Sequence, residues 1–472
     1  MRKQRHFGRS AAGKHLAVIA LAALALCSAE LAACKKKPPA PVSEPEPSAE
    51  SPEIVETAPP APPAPGPVPA RCHELPQPSP FRIGDVLANR PSADDSDDAG
   101  PEDDDEVPAP FSVELGQARA DADGFVISAL RSLKGQSHAL IAILNGDAGA
   151  GRLVDLGPVH GDPDPPLFAE HGKDLLIAAS DADAGGGMLK LGLLRDARGR
   201  AEISWGPEIT GVRRDSTFAL EVNGDHALVA YAADNTGKIR VYGGSIDPSN
   251  LKQKFSPEPL SAAGADADSP RLALRKGGYW LALARSLDAP KTKPKPHPDG
   301  GADSDGQDSL LDIGTRRIEL MKLDALGKTA SSPLVVTTPG ARPMSFELAA
   351  AADGGAYVAF RGDDSTPGAD GGALELVHVK PDGTFEKLEL NGNGSGTGTP
   401  SLLVDSTDAT RLVLAAPGEN GATWFGRITE HSTLSGDSVV RGADLIAARD
   451  GKLLLSRSRG TAAEFSLVQC AD

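Results

Sequence analysis

Three carboxylates lie close together in the segment Asp303-Ser-Asp305-Gly-Gln-Asp308, whose spacing shares part of the pattern of a calcium-binding loop. Ca²⁺ prefers oxygen ligands, and crowded aspartates relieve their mutual repulsion by binding a cation. The glycine comes early for such a loop, and the closing glutamate is missing. Asp303, Asp305 and Asp308 are therefore the candidate metal ligands, and Ca²⁺ is the one cofactor that the sequence suggests.

Motifs typical of enzyme active sites are absent from the sequence. Gly327-Lys328-Thr329 has the end of a phosphate-binding loop, but Lys322 stands where that loop needs its first glycine. The sequence contains neither a Gly-x-Ser-x-Gly nor a His-Glu-x-x-His pattern, and its histidines are scattered singly. No catalytic residue is predicted, and a non-enzyme is favoured. Carboxylates that folding collects from distant strands would leave no such motif.

The formal charge of −17 excludes one large class of partner. An acidic surface repels the phosphate backbone, so nucleic-acid binding is not expected. Aromatic residues make up only 4% of the chain, and the three tryptophans, Trp205, Trp280 and Trp424, fall within predicted strands. We expect all three to pack in the core rather than to stack on sugars.

The N-terminal segment has the pattern of an export signal. Five basic residues within the first fourteen precede an apolar run at 16–27, which is too short to span a bilayer. The run is followed by Leu31-Ala32-Ala33-Cys34. Removal of residues 1–33, which carry five cations and Glu30, would lower the net charge by four, to near −21.

This segment resembles the lipobox signal of bacterial lipoproteins. The resemblance implies that residues 1–33 are a signal peptide and that Cys34 receives the lipid, palmitate included. Lys35 stands where an aspartate would imply inner-membrane retention, so an outer-membrane anchor is implied. Two alternatives stay open: Cys27 as the lipid site, or cleavage after Ala29 to give a soluble periplasmic protein. The sequence leaves open which side of the outer membrane the protein faces.

Residues 34–70 are rich in proline, alanine and glutamate. Such a composition cannot bury a core and favours extended polyproline II structure. We predict a disordered stalk that joins the lipid anchor to a folded region at 71–472.

Two cysteines remain after Cys27 and Cys34 are set aside. Cys72 and Cys470 lie at the two ends of the predicted folded region. Because extracytoplasmic compartments are oxidising, we expect these two to form a disulfide.

The region 71–472 contains seven apolar, β-rich runs at regular spacing. They are 125–130, 175–180, 227–232, 279–284, 356–361, 411–416 and 452–457. Their starts are 50, 52, 52, 77, 55 and 41 residues apart, and the long step contains a low-complexity insertion at 288–314. An acidic loop at 92–106 precedes the first run. Dipeptides such as Asn223-Gly224 and Asp450-Gly451, which suit tight hairpins, precede most of the runs.

Seven third strands and six fourth strands are predicted after these runs, and the fourth strands include 252–260 and 332–338. Repeats of this length with four strands each are typical of a β-propeller. The sequence therefore predicts an all-β, seven-bladed β-propeller, closed by an N-terminal strand at 81–87 and by the Cys72–Cys470 disulfide. A β-sandwich or two packed β-domains is the alternative.

The propeller topology would gather many aspartates on one face, among them Asp181, Asp183, Asp266 and Asp268. An acidic face favours recognition of a basic partner or of Ca²⁺. We expect a lipid-anchored scaffold of the cell envelope that binds an unidentified protein partner. The alternatives are a hydrolase or lyase with its site in the propeller channel, and a Ca²⁺-dependent adhesion module.

Overall fold

The described residues fold mainly into antiparallel β-strands, and this part of the chain contains no α-helix. The computed structural model describes residues 72–77, 80–84, 112–133, 135–161, 163–183, 186–213, 217–235, 237–287, 316–337, 343–362, 373–390, 398–418, 421–428, 434–459 and 461–470. All of them belong to one unit, Ala64–Asp472. Within these ranges no helix has the length and hydropathy needed to cross a membrane.

The strands come in groups of four that pair in chain order. Two short strands precede the groups: β1 (Cys72–Glu74) and β2 (Arg82–Ile83). The first group is β3 (Ser112–Ala120), β4 (Gly124–Leu133), β5 (Gln136–Asn145) and β6 (Gly151–Val159). The second is β7 (Leu167–His171), β8 (Asp174–Asp183), β9 (Gly186–Arg195) and β10 (Glu202–Val212). The third is β11 (Phe218–Asn223), β12 (His226–Asn235), β13 (Lys238–Ile246) and β14 (Glu258–Pro259).

Three further groups and a final set of three strands complete the region. The fourth group is β15 (Ala267–Arg275), β16 (Gly278–Ser286), β17 (Arg316–Asp324) and β18 (Leu334–Val335). The fifth is β19 (Pro343–Ala350), β20 (Ala356–Gly362), β21 (Leu374–Val379) and β22 (Phe385–Leu388). The sixth is β23 (Ser401–Val404), β24 (Leu412–Pro417), β25 (Ala422–Ile428) and β26 (Leu434–Arg441). The last set is β27 (Asp444–Arg449), β28 (Lys452–Arg459) and β29 (Ala462–Cys470).

The first strands of the groups form a ring. Contacts run from β3 to β7, β11, β15, β19, β23 and β27 in turn, and β27 contacts β3. A continuous apolar layer fills the space between each neighbouring pair of groups. This is a β-propeller arrangement, so neither the sandwich nor the two-domain alternative describes the fold.

Within the described residues the strands form six sheets, not the seven separate blades that the sequence predicts. Five sheets have four or five strands, and one has eight. The eight-stranded sheet arises because β10 pairs with β12 at Val212 and Ala233, which joins the second group to the third. The number of sheets therefore does not support the predicted count of seven blades.

All seven predicted second strands are confirmed as β4, β8, β12, β16, β20, β24 and β28. Their apolar runs are buried on both faces, as Phe125 to Leu130 in β4 illustrates. At the turn before β28, Asp450 and Gly451 both have positive φ, at 52° and 70°, as a two-residue hairpin turn requires.

Two of the predicted fourth strands are much shorter than expected. The segment 252–260 keeps only β14, and 332–338 keeps only β18. Prolines lie at the shortened strands, namely Pro257, Pro259 and Pro333. A proline has no N–H to donate to a sheet ladder, so these outer strands cannot extend.

The N-terminus supplies the strand that the last group lacks. Both β1 and β2 pair with β29, so the closing strand is split between two short segments. Arg82 pairs with Glu464 at 2.9 Å, and Ile83 is fully buried in the apolar layer against Phe465. The predicted strand at 81–87 is thus found only at Arg82–Ile83, and residues 85–87 lie outside the described part.

Candidate functional site

Five of the seven ring-forming strands each place one charged side chain near the centre of the fold. We call these five residues the channel cluster: Arg119 on β3, Glu170 on β7, Glu221 on β11, Arg271 on β15 and Glu347 on β19. Apolar residues of the same five strands pack in the layers between neighbouring groups. The cluster therefore combines three carboxylates and two guanidinium groups from strands that are far apart in sequence.

Arg119 and Glu221 form the strongest contact of the cluster. The guanidinium donates from Nη1 to Glu221 Oε2 at 3.1 Å and from Nη2 to Glu221 Oε1. The Glu221 side chain is 7% exposed and that of Arg119 is 31% exposed. Burial opposes the charged form of Arg119, but the Glu221 carboxylate outweighs it, so the pKa of Arg119 lies above its ordinary value. Glu170 and Glu347 act on Arg119 in the same direction.

Glu170 is a carboxyl group of the cluster whose pKa lies above its ordinary value. Its side chain is accessible to solvent but surrounded by protein in the channel, and this partial loss of hydration raises its pKa. The charge of Asp121 raises the pKa further, whereas Arg119 lowers it. A carboxyl group with a raised pKa holds its proton to a higher pH than a free glutamate does, which is a property of carboxyl groups that act as general acids.

Arg271 is held between two neighbouring ring strands. Its Nη1 donates to Thr217 Oγ1 at 2.8 Å, and its Nε lies 3.5 Å from Glu347 Oε2. The guanidinium also lies 5.7 Å from the ring centre of Phe346. These contacts fix a cation beside a carboxylate while leaving about a quarter of the Arg271 side chain exposed.

A second ion pair lies next to Glu170 at the turn between β3 and β4. Arg198 donates to Asp121 at 2.7 Å and to the Leu144 carbonyl at 3.2 Å. Asp121 also accepts the backbone N–H groups of Asp123 and Gly124, both at 2.8 Å. Asp121 is therefore a fixed charge, which explains its effect on the Glu170 pKa.

These contacts give the carboxyl groups of the cluster different environments. Glu221 lies in a two-bonded pair with an arginine, whereas the pKa of Glu170 is raised by partial burial and by carboxylate neighbours. Carboxyl groups placed in different environments are a usual starting point for acid–base assignment in enzymes. The arrangement can transfer a proton at Glu170 and stabilise a developing charge at the arginines.

The residues that the sequence predicts for lipidation and calcium binding are not among those that the structure describes. Cys34, Asp303, Asp305 and Asp308 lie outside the described residues, so the lipidation and calcium predictions stay predictions. Within the described ranges no group of three histidine, cysteine, aspartate or glutamate side chains is arranged to hold a metal ion.

The two remaining cysteines fall at the junction of the chain ends. Cys72 is disulfide-bonded, and its Cα partner across β1 and β29 is Cys470. The register is thus compatible with the Cys72–Cys470 bridge, which stays a prediction.

Two of the aspartates assigned to an acidic face are engaged within the protein. Asp181 is only 4% exposed, and it contacts Lys190 and accepts the His160 backbone N–H at 2.9 Å. Asp268 pairs with Arg316 at 2.5 Å. Their charges are balanced internally, so neither contributes a free carboxylate to a partner-binding face.

Folding creates the channel cluster from strands that sequence motifs cannot connect. Arg119 and Glu221 are 102 residues apart. One signal was present: Glu221 interrupts the apolar run Phe218-Ala-Leu-Glu-Val, and a charge inside a buried strand needs a partner.

Comparisons with known proteins give similarity to solved structures only. No family model matches this chain, and no curated protein matches it. A PL25 polysaccharide lyase, an ulvan lyase, is 10% identical over 76% of this chain and 94% of its own, with a TM-score of 0.49. The hydrazine synthase of Kuenenia stuttgartiensis is 12% identical over 76% and 95%, with a TM-score of 0.45.

The GH93 α-L-arabinofuranosidase of Fusarium graminearum is 12% identical over 75% of this chain and 93% of its own, with a TM-score of 0.40. At these identities and TM-scores, the similarities carry no argument about substrate or reaction.

Proposed function

We propose that this protein is a hydrolase or lyase that cleaves glycosidic bonds and that its active site is the channel cluster. The observation that carries the proposal is the convergence of three glutamates and two arginines from five ring strands, with a raised pKa at Glu170. Glycoside hydrolases use paired carboxyl groups, one of which has a raised pKa, and a lyase needs a proton-transferring group beside a cation that binds an acidic sugar. Such chemistry needs no residues that are adjacent in sequence.

Each member of the cluster has a role in this proposal. Glu170 exchanges a proton with the substrate, because its pKa is raised above that of an ordinary glutamate. Glu221 is the second carboxylate, and Arg119 fixes its orientation through two hydrogen bonds. Arg271, which is partly exposed, contacts an acidic or hydroxyl group of the substrate.

The test is cleavage of a panel of neutral and acidic polysaccharides by the full-length chain in detergent. New reducing ends would identify a hydrolase, and ultraviolet absorbance of an unsaturated product would identify a lyase. Glu170→Gln should abolish either signal. Glu386→Gln is the matched control, because Glu386 is a half-exposed glutamate on β22, outside the ring of first strands. Equal loss in both variants, or full activity in Glu170→Gln, would overturn the proposal.

The scaffold interpretation has less support from the described residues. It relied on an acidic face, and the charges of Asp181 and Asp268 are balanced internally. Affinity capture from solubilised envelopes would favour it again if a stoichiometric partner were found and no polysaccharide of the panel were cleaved.

We also propose that Cys34 carries the lipid and anchors the protein in the outer membrane. The support is the sequence pattern around Cys34 and the stalk composition of residues 34–70. Fractionation of cells that express wild type or Cys34→Ala tests this proposal. Wild type should sediment with outer membranes and incorporate labelled palmitate, and Cys34→Ala should do neither.

We further propose that the propeller has seven blades and that the eight-stranded sheet contains two of them. The support is that β7–β10 and β11–β14 each pair in chain order, while one Cα pair links β10 to β12. An experimental density map in which these two groups form one continuous blade would refute this count.

A further inference from the structure

A solvent-open cavity of about 700 Å³ lies between β10 and the link that joins β13 to β14. This volume is within the range of small-molecule sites, about 300 to 1,000 Å³. Three aromatic residues line it: Trp205, Tyr231 and Phe255. We call this feature the Trp205 groove. None of the channel cluster residues lines it.

Trp205 differs from the other two tryptophans in its exposure. Trp280 and Trp424 are 2% and 5% exposed, so the prediction of core packing is confirmed for them. Trp205 is 41% exposed, so that prediction was wrong for it. The sequence suggested burial because Trp205 lies in a predicted strand, but this strand is the outermost of its group and borders an open cavity.

The local backbone fixes the position of Trp205. Its ring packs over Gly192 on β9, where an added Cβ would lie 2.7 Å from Trp205 Cε3. The strand β10 then has a register shift between Trp205 and Glu208, at Pro207, which cannot donate to the ladder. Trp205 is thus held in place by a glycine on one side and a bulge on the other.

The other two aromatic residues, Tyr231 and Phe255, pack against each other and line one side of the groove. The ring centres of Tyr231 and Phe255 are 6.5 Å apart, and Tyr231 is 4% exposed. Phe255 fits because Gly244 has no side chain; a Cβ there would lie 2.6 Å from the Phe255 ring. Burial, with a contribution from Tyr242, raises the pKa of Tyr231 to about 12, so its hydroxyl stays protonated at neutral pH.

The rim of the groove is polar. Glu208, Thr210, Lys252, Gln253 and Lys254 line it and are exposed. Aromatic faces surrounded by hydrogen-bond donors and acceptors match a pyranose ring, which has an apolar C–H face and hydroxyl groups at its edge. The rim carries two lysines and one glutamate, so its net positive charge also suits an acidic sugar, although the chain as a whole is strongly acidic.

We propose that the Trp205 groove is a saccharide-binding site in which a sugar ring stacks on Trp205. The site is separate from the channel cluster and does not require that the protein cleave glycosidic bonds. If it does, the groove binds the same polymer at a second position. The open side of the cavity allows a chain longer than the cavity to extend into solvent.

Tryptophan fluorescence tests the proposal directly, because only Trp205 of the three tryptophans is exposed. The full-length chain carrying Glu170→Gln is titrated with cellohexaose and with hexagalacturonate, and quenching by acrylamide is measured. One of the probes should protect Trp205 from acrylamide. Trp205→Ala should weaken binding by roughly tenfold or more, and Trp205→Tyr should restore part of it. Phe385→Ala is the matched control, because Phe385 is an aromatic residue 46% exposed outside the groove.

Three outcomes would overturn the proposal. The first is that neither probe protects Trp205 from acrylamide, although the protein is folded. The second is that Trp205→Ala binds the probe as tightly as wild type does. The third is that protection of Trp205 depends on protein concentration rather than on the probe, which would make the groove a contact between two copies of the chain.

Discussion

The Arg119–Glu221 ion pair should have a coupling energy in the folded protein that is larger than that of an exposed ion pair. Removing one partner of a fully buried pair costs about 3–5 kcal/mol, because the other charge is left without compensation. Glu221 is 7% exposed, but Arg119 is 31% exposed, so channel water can rehydrate part of the carboxylate. We therefore expect Arg119→Met to lower the free energy of unfolding by about 2 kcal/mol. Glu221→Leu should cost a similar amount, and the double variant should be less destabilised than the two costs summed.

The assay is urea denaturation followed by the fluorescence of the buried Trp280 and Trp424. The double-mutant cycle should give a coupling energy of about 1–2 kcal/mol. Arg200→Met is the control, because Arg200 pairs with Glu202 at 3.1 Å while its side chain is 90% exposed. That change should stay within about 0.5 kcal/mol of wild type. Additive costs at Arg119 and Glu221 would refute the structural account of this pair.

Three further predictions concern single sites. Because the pKa of Glu170 is raised in the folded protein, ionisation of Glu170 destabilises the folded state. Glu170→Gln should therefore raise the melting temperature near pH 8. This gain should disappear as the pH falls below the pKa of a glutamate in the unfolded chain. Asp405 is 3% exposed and accepts the backbone N–H groups of Thr407, Asp450 and Gly451, and these hydrogen bonds lower its pKa despite burial. Asp405→Asn should therefore lower the free energy of unfolding by about 1–3 kcal/mol at pH 7. Equal stability of the two proteins at pH 7 would contradict this. Cys72→Ser should lower the melting temperature of oxidised protein and leave that of reduced protein unchanged, as differential scanning calorimetry would show.

The repeating part of the fold could be predicted because its signals are local. The run 125–130 is apolar and short and follows a turn, and β4 forms there with both faces buried. The outer strands were predicted less well. The four-strand repeat suggested a strand at 252–260, but its prolines leave only β14. The pairing of Val212 with Ala233 depends on how two neighbouring groups meet, which no local pattern encodes.

The channel cluster could not be predicted because its contacts join distant strands. Each residue alone is an ordinary charge, and only the ring brings Arg119 within hydrogen-bond distance of Glu221. Trp205 illustrates the same limit. Its place in a strand suggested burial, and its exposure follows from its position on an outermost strand beside an open cavity. The lipidation of Cys34 is a purely local signal that no described residue tests.

The most direct test of the proposed active site is the rate of glycosidic-bond cleavage by wild type and Glu170→Gln, measured on one polysaccharide with both proteins shown to be folded. Our account predicts turnover by wild type, a fall of about 100-fold or more in kcat for Glu170→Gln, and wild-type rates for Glu386→Gln. Cleavage that survives unchanged in Glu170→Gln, or a wild-type protein that cleaves none of the neutral and acidic polysaccharides, would contradict it.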